Sequence, residues 1–370
     1  MKVGVLSIQG LPARYGAFEQ AVDQLARFVY LKDPSILFMV GCVPELESIP
    51  IDHPNVHRIY VKRRAKFGVI VYGLLCFMHM YRAGVRDFLI MGYGLAPFFK
   101  LFELLGCNLT VNVDGFEWRR AKWGRLAKTY FRWCELFSAR SNAELIYDSI
   151  GVARYYGIVH GRPGNTVFYG EDSADSIDEM RLRDLRTRAA QLTGVGEYFV
   201  VVMRMEPENH IREIVSGFLA SKSARSLILV GPSTPFFASV VRPLIECDNE
   251  CRVKWLGPIY DRQLLRVIRE AAVAYIHGHS VGGTNPTLVE AVSFNKPIIA
   301  FGSIFNREVL GFSALYFNDE LRLAALLDEN VAAFPLPCRL DERYTWEYVC
   351  GKYLSVIRRD YSGYGRGYRR

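Results

Sequence analysis

Several things are scarce in this 370-residue chain, and each scarcity excludes something. No apolar run reaches the ~20 residues a membrane-spanning helix needs. The longest, FGVIVYGLLCFMHMY at 67–81, carries His79 and is bounded by charges, so it reads as a buried or interfacial helix. The start, MKVGVLSIQG, has one Lys and a short apolar run before Gly and Pro, which is not a signal peptide. The expected location is therefore cytoplasmic. Eight cysteines are scattered through apolar segments and read as reduced core thiols. Cys247 and Cys251 lie close together, but no second pair or histidine completes a zinc set. Neither a dinucleotide fingerprint nor a P-loop is present.

What is present is globular. Half the residues are apolar, and the formal charge is +8, a mild attraction for anions that does not choose among them. Short β-branched runs alternate with helical patterns. The strand candidates are 2–8, 36–41, 56–61, 87–92, 109–115, 144–149 and 165–170, then 198–204, 226–231, 253–257, 272–278, 297–302 and 314–317. Continuous apolar runs ending in Gly, Asp or Ser suit parallel strands buried on both faces. Two such series imply an α/β protein of two Rossmann-like, doubly wound domains facing across a cleft. The expected boundaries are 1–175 for the first domain, 176–196 for a polar linker, and 197–345 for the second. Residues 346–370 then form a C-terminal helix and basic tail that crosses back to the first domain. Site residues belong just after the strands.

Four stretches stand there. After the first strand, Gly10 and Gly16 flank Arg14 at a helix start, where free N–H groups favour an anion; a tight strand–helix connection is the plain alternative. After the fifth, Asp114 and Glu117 are three residues apart, with Asp114 suited to a base, a hydroxyl acceptor or a helix cap. The following Arg119, Arg120, Lys122, Arg125, Lys128 and Arg132 are expected on one basic helix with Trp118, Trp123 and Trp133. That pattern suits an anionic membrane surface or a phosphorylated acceptor, or a merely solvated face; no nucleic-acid motif supports nucleic acid. In the second half, Arg204 emerges from an apolar strand and should meet an anion or a carboxylate.

The fourth stretch is HGHSVGGTNPTLVE, 277–290. Asn285 suits a helix N-cap and Pro286 the first helical position. Gly282 and Gly283 let backbone approach a phosphate, and Glu290, further into the helix, suits a ribose diol. His277 and His279 are expected to point to opposite faces and so not to chelate; no metal is expected.

The segments GLPARYGAFEQAV, VDGFEWRRAKWGR, YDSIGVARYY, VFYGED, RMEPENHI and HGHSVGGTNPTLVEAV, in this order, resemble the retaining GT-B glycosyltransferases of family 4. They look most like the bacterial rhamnosyltransferase branch of capsule and surface-polysaccharide synthesis. The resemblance implies transfer of L-rhamnose from dTDP-L-rhamnose to a lipid-linked saccharide, without a metal, at the inner face of the cell membrane. By position it puts Gly16 against the donor phosphates and Asp114 on the catalytic side. Arg204 falls on the diphosphate, while Gly283, Thr284 and Asn285 lie in the donor loop and Glu290 on the ribose. Where the broad family has a Glu eight residues before Glu290, this chain has Gly282; where it has a Lys five residues after the Arg, this chain has Asn209. The stabilisation of the leaving phosphate then falls on Arg204 and the backbone around Gly283 and Thr284. A nucleotide-sugar epimerase and a non-catalytic GT-B scaffold are the alternative readings.

Overall fold

Apolar residues on both sides of a strand need cover on both faces, and the chain meets that demand twice. A computed structural model describes residues 1–13, 16–62, 68–171, 177–194 and 196–360. Arg14 and the tail after 360 lie outside the described residues. The first sheet contains β1 (Lys2–Leu6), β2 (Leu37–Cys42), β3 (Val56–Tyr60), β4 (Asp87–Met91), β5 (Asn108–Asn112), β6 (Glu144–Tyr147) and β7 (Asn165–Thr166). Its order is β3-β2-β1-β4-β5-β6-β7, parallel throughout. The second contains β8 (Tyr198–Val202), β9 (Ser226–Val230), β10 (Val253–Trp255), β11 (Ala274–His277), β12 (Ile298–Phe301) and β13 (Leu315–Phe317). Its order is β10-β9-β8-β11-β12-β13, again parallel. All thirteen expected runs carry a strand. In both sheets the order reverses beside the first strand, between β1 and β4 and between β8 and β11; ligands in such sheets bind at these switch points.

The chain divides into two compact units. One comprises the described residues of Met1–Arg119, Trp123–Gly170 and Glu342–Arg370; the other comprises Arg120–Lys122 and Glu171–Asp341. In the first, Val3, Val5, Phe38, Val40 and Leu89 turn to one face, where the helices Ala17–Lys32 and Trp346–Arg358 cover them with Val22, Leu25, Val349, Tyr353 and Ile357. Alternation sends Gly4 to the other face, where a Cβ would meet Phe88 at 2.7 Å and the Met80 sulfur at 3.0 Å. Four helices lie on that second face. They are Gly68–Arg82, Phe99–Leu104, Arg125–Arg140 and Ile150–His160, tied by the Phe77–Phe102 stack at 3.7 Å, the Tyr147–Tyr156 contact at 5.0 Å and the Ser138–Tyr156 hydroxyl pair. Among the described residues no helix is long and apolar enough to cross a membrane.

The polar stretch expected to act as a linker, mostly one short helix with polar flanks, packs into the second unit. Glu179–Thr193 is a helix capped by Asp178, and it places Leu185 and Ala189 in the second unit's core with Leu264 and Val267. Its few apolar residues fall on one stripe, which is all that a surface helix needs.

Candidate active site

In the second unit, two segments meet at the switch point: 203–210 after β8 and 278–285 after β11. Gly278 is obligatory there, because a Cβ would sit 2.0 Å from the Asn209 carbonyl oxygen. Ser280 N donates to Glu208 O at 3.1 Å, Ser280 Oγ to the same oxygen at 3.0 Å, and His210 Nε2 lies 3.0 Å from Ser280 Oγ. Asn209 is 6% exposed and bonded through both amide atoms. Its Nδ2 donates to Arg204 O at 2.6 Å and its Oδ1 faces His279 Nδ1 at 2.7 Å. Its side chain therefore joins the two segments.

The histidines require a correction. Residues two apart on a strand share a face, and the rings of His277 and His279 lie 6.3 Å apart, both buried. His277 Nδ1 is 3.2 Å from Tyr275 Oη, which reaches Val202 O at 3.1 Å. Burial, then the Arg269 charge, pulls His277 down to about 3. Burial also holds His279 well below the usual imidazole range, with His277, Arg120, Arg204 and His210 adding to the effect. Among the described residues no group of three or more His, Cys, Asp or Glu is placed to hold a metal ion.

Asn285 caps the helix Pro286–Ser293, its Oδ1 accepting from Thr287 N at 3.0 Å and Thr287 Oγ1 at 2.7 Å. Gly282 has φ +122°, a conformation that favours glycine, and Gly282, Gly283 and Thr284 are buried ahead of the cap. Glu290 is not free: Arg269 Nη1 donates to its Oε2 at 2.8 Å. Arg204 differs from the Arg of a salt-bridged core. It is exposed and makes no side-chain hydrogen bond or ion pair with any described residue.

The first unit assembles a different set. Gly16 is the N-cap of Ala17–Lys32 in extended backbone, so no left-handed conformation demands a glycine there. Glu19, which the sequence reading passed over, is 6% exposed and accepts from Gln9 N at 2.9 Å, pinning the loop after β1. Asp114 follows β5 with φ +57°, its N–H donating to Asn112 Oδ1 at 2.8 Å. Burial pushes the Tyr169 phenol up, and Tyr353 with the carboxylates of Asp114, Asp148 and Glu19 adds to that shift.

The expected single basic helix is interrupted. Glu117–Arg119 is a short 3₁₀ turn, and the α-helix begins only at Arg125, after Gly124. Trp118 Nε1 donates to Glu135 at 2.7 Å and Trp123 Nε1 to Glu117 at 2.9 Å, while Arg119 and Arg132 lie over the Trp118 ring. Arg120 departs from its expected place on an acceptor or membrane surface. It is 9% exposed, belongs to the second unit, and has Nη1 3.9 Å from Glu208 Oε1. A buried guanidinium needs a carboxylate, and Glu208 lay too far along the chain for spacing to signal it. Lys122 and Arg125 are exposed.

A sequence family described as "Domain of unknown function (DUF1972)" matches residues 1–172. No curated protein matches the sequence significantly. Among solved structures, sucrose-phosphate synthase from Thermosynechococcus elongatus aligns with TM-score 0.70 at 16% identity, over 97% of this chain and 98% of that one. HepE from Anabaena, in complex with UDP and glucose, aligns with TM-score 0.64 at 16% identity, over 97% of each chain. The trehalose-6-phosphate phosphatase N-terminal domain from Candida albicans aligns with TM-score 0.70 at 12% identity, also over 97% of each. The fold is that of the GT-B glycosyltransferases, two parallel-sheet α/β domains with seven and six strands.

Proposed function

We propose that this chain is a retaining glycosyltransferase whose nucleoside-diphosphate sugar binds at the β8/β11 switch point. The observation that carries the reading is Arg204. An exposed guanidinium that pairs with no described residue lies on the segment that meets the one leading to a glycine-lined, capped helix N-terminus, and both features favour a diphosphate. That HepE was crystallised with UDP-glucose supports a donor of this class. In the proposed reaction the bond from sugar C1 to the diphosphate oxygen breaks as an acceptor hydroxyl oxygen joins C1 on the same face. The hydroxyl proton passes to the departing diphosphate, and Arg204 with the amides around Gly283 and Thr284 stabilises the growing charge. Asp114 serves the acceptor side, and Glu290, held by Arg269, offers its remaining oxygen to the ribose.

The finer reading is transfer of L-rhamnose from dTDP-L-rhamnose to a lipid-linked saccharide, which the quoted segments support. A lipid-linked acceptor requires contact with a membrane, and the four-helix face of the first unit suits one. Val69, Val71, Leu75, Met78, Leu101, Leu104, Leu126, Trp133, Phe137 and Ile158 are exposed on it. The exposed charges on those helices are Arg82, Lys100, Arg125, Arg132, Arg140 and Arg154, with no exposed acid. Cations interleaved with large apolar groups favour anionic lipid.

A thermal-shift series over nucleotide sugars tests the donor. Binding raises stability by mass action, so dTDP-L-rhamnose is expected to stabilise the chain more than UDP- or GDP-sugars. A preference for another donor overturns the rhamnose assignment; no stabilisation by any overturns the donor site.

A further inference from the structure

His279 occupies the centre of the switch point and has one unused nitrogen. Asn209 sets its tautomer. The Arg204 carbonyl can only accept, so the Asn209 amide nitrogen must face it, which turns Oδ1 toward His279 Nδ1 and makes that nitrogen the N–H donor. Nε2 is left with a lone pair and bonds to no described residue, in a side chain nine-tenths buried. Beside it is Gly282, where a Cβ would lie 3.0 Å from Nε2. The missing side chain keeps the approach to that nitrogen open. Asn306 Nδ2 and Ser303 Oγ donate to the His279 carbonyl at 2.8 and 3.4 Å, so the residue is also held through its backbone.

The charges around the ring favour an anion. His277 lies on its own strand; Arg204, Glu208 and His210 come from the segment after β8; Arg120 comes from 120–122. The segment after β12 contributes only the uncharged Ser303 and Asn306. Two guanidinium groups stand against one carboxylate, which Arg120 already faces. In the absence of ligand, burial first and this surplus second disfavour the charged imidazole. A diphosphate with two negative charges reverses the local field, and the ring then gains by protonation.

We propose that His279 Nε2 binds the diphosphate of the nucleotide sugar as an N–H donor, the imidazole taking one proton from solvent as the nucleotide binds. The proposal rests on the reading of the β8/β11 edge as the donor site. Nδ1–H stays on Asn209 throughout, and the incoming proton resides on Nε2, directed at a phosphate oxygen. When C1–O cleavage follows, the acceptor's hydroxyl proton accounts for the new proton on the diphosphate. The imidazolium returns its own to solvent when the nucleoside diphosphate leaves. A fixed cation holds its charge at all times; His279 acquires one only while the site is filled.

Isothermal titration of the full chain with dTDP-L-rhamnose and with UDP-glucose, in buffers of different ionisation enthalpy near neutral pH, counts protons directly. Their diphosphates are fully ionised there, so uptake belongs to the protein. The expected result is about one proton taken up per nucleotide sugar bound. His279→Gln keeps a side-chain N–H but does not titrate; it is expected to lose the uptake and to bind about 10-fold more weakly. Binding to the unaltered chain without uptake, or uptake that survives in His279→Gln, overturns the role of His279 and leaves the donor site standing. Binding of neither nucleotide sugar overturns the donor site and this role with it. If His279→Gln does not fold, nitrogen NMR of the unaltered chain decides: the His279 ring must change from the neutral to the doubly protonated pattern on saturation, and an unchanged ring overturns the proposal.

Discussion

Arg269 holds Glu290 through a 2.8 Å charged hydrogen bond from beneath the helix Pro286–Ser293. Arg269 is 5% exposed and lies over the rings of Tyr275 and Phe294, so the carboxylate is aimed by a cation fixed in the core. Glu290→Ala strands that cation, and the expected loss is about 3 kcal/mol of stability. Replacing both partners, Glu290→Leu with Arg269→Met, is expected to recover most of it. Urea unfolding of the two variants beside the unaltered chain measures this; an unchanged midpoint for Glu290→Ala alone refutes the pairing.

Arg204 is expected to behave in the opposite way. Since it has no partner among the described residues, Arg204→Ala should alter stability by less than about 0.5 kcal/mol. Turnover with the preferred donor should fall about 10²–10³-fold. Near-normal turnover in a folded variant removes Arg204 from the site.

The backbone contact at Gly278 is a third test. A Cβ placed 2.0 Å from Asn209 O forces the two segments apart, so Gly278→Ala is expected to cost about 3 kcal/mol. Gly157 is the control: it sits in the helix Ile150–His160 with open space around its Cα, and Gly157→Ala is expected to add about 0.5–1 kcal/mol. Thermal melts that rank the two variants equally contradict the geometry.

Acid stability follows from His277. Unfolded, the ring titrates at its ordinary value of 6.5; folded, it does so at about 3. Between those values the unfolded state holds a proton that the native state refuses, so stability falls as pH drops from about 6.5 toward 3, by up to ~1.4 kcal/mol per pH unit for this residue. Above 6.5 the contribution is constant. His277→Gln should flatten the slope in urea titrations at pH 6 and pH 4, and an unaltered slope contradicts the assignment.

The helix face with Leu126, Trp133 and Phe137 predicts lipid binding. The chain should co-sediment with vesicles containing phosphatidylglycerol, release with salt, and ignore phosphatidylcholine vesicles. Serine at those three positions should abolish the association. Equal binding to both vesicle types argues against a charge-selective surface, and self-association without vesicles points to a second copy as its occupant.

Much of the architecture was legible because buried parallel strands leave continuous apolar runs, and all thirteen appear in place. The runs overestimate the strands at their carboxyl ends. β5 stops at Asn112 although the run extends to 115, and β7 at Thr166 although it extends to 170. There the residues after the strand belong to loops beyond the ladder. The N-cap at Asn285 was readable because capping is local. Arg120 with Glu208, Asn209 with His279, and Arg269 with Glu290 were not, because each pair joins residues 21 to 88 positions apart in sequence. Asn209 stands where the resembling family has a Lys, and the sequence alone did not show that its amide joins two segments. His277 and His279 were misjudged through strand parity, which puts alternate residues on the same side.

The helix Trp346–Arg358 has a bearing on how the molecule is made. It inserts Val349, Tyr353 and Ile357 into a core otherwise built before residue 171. A growing chain therefore carries an open apolar face on its first sheet while the whole of the second is synthesised. Apart from 120–122, the second unit is continuous in sequence and can close as soon as it emerges. The half that is translated first is completed last. A fragment cut at residue 172, where the family match ends, should expose that face and aggregate unless 342–360 is supplied as a separate peptide.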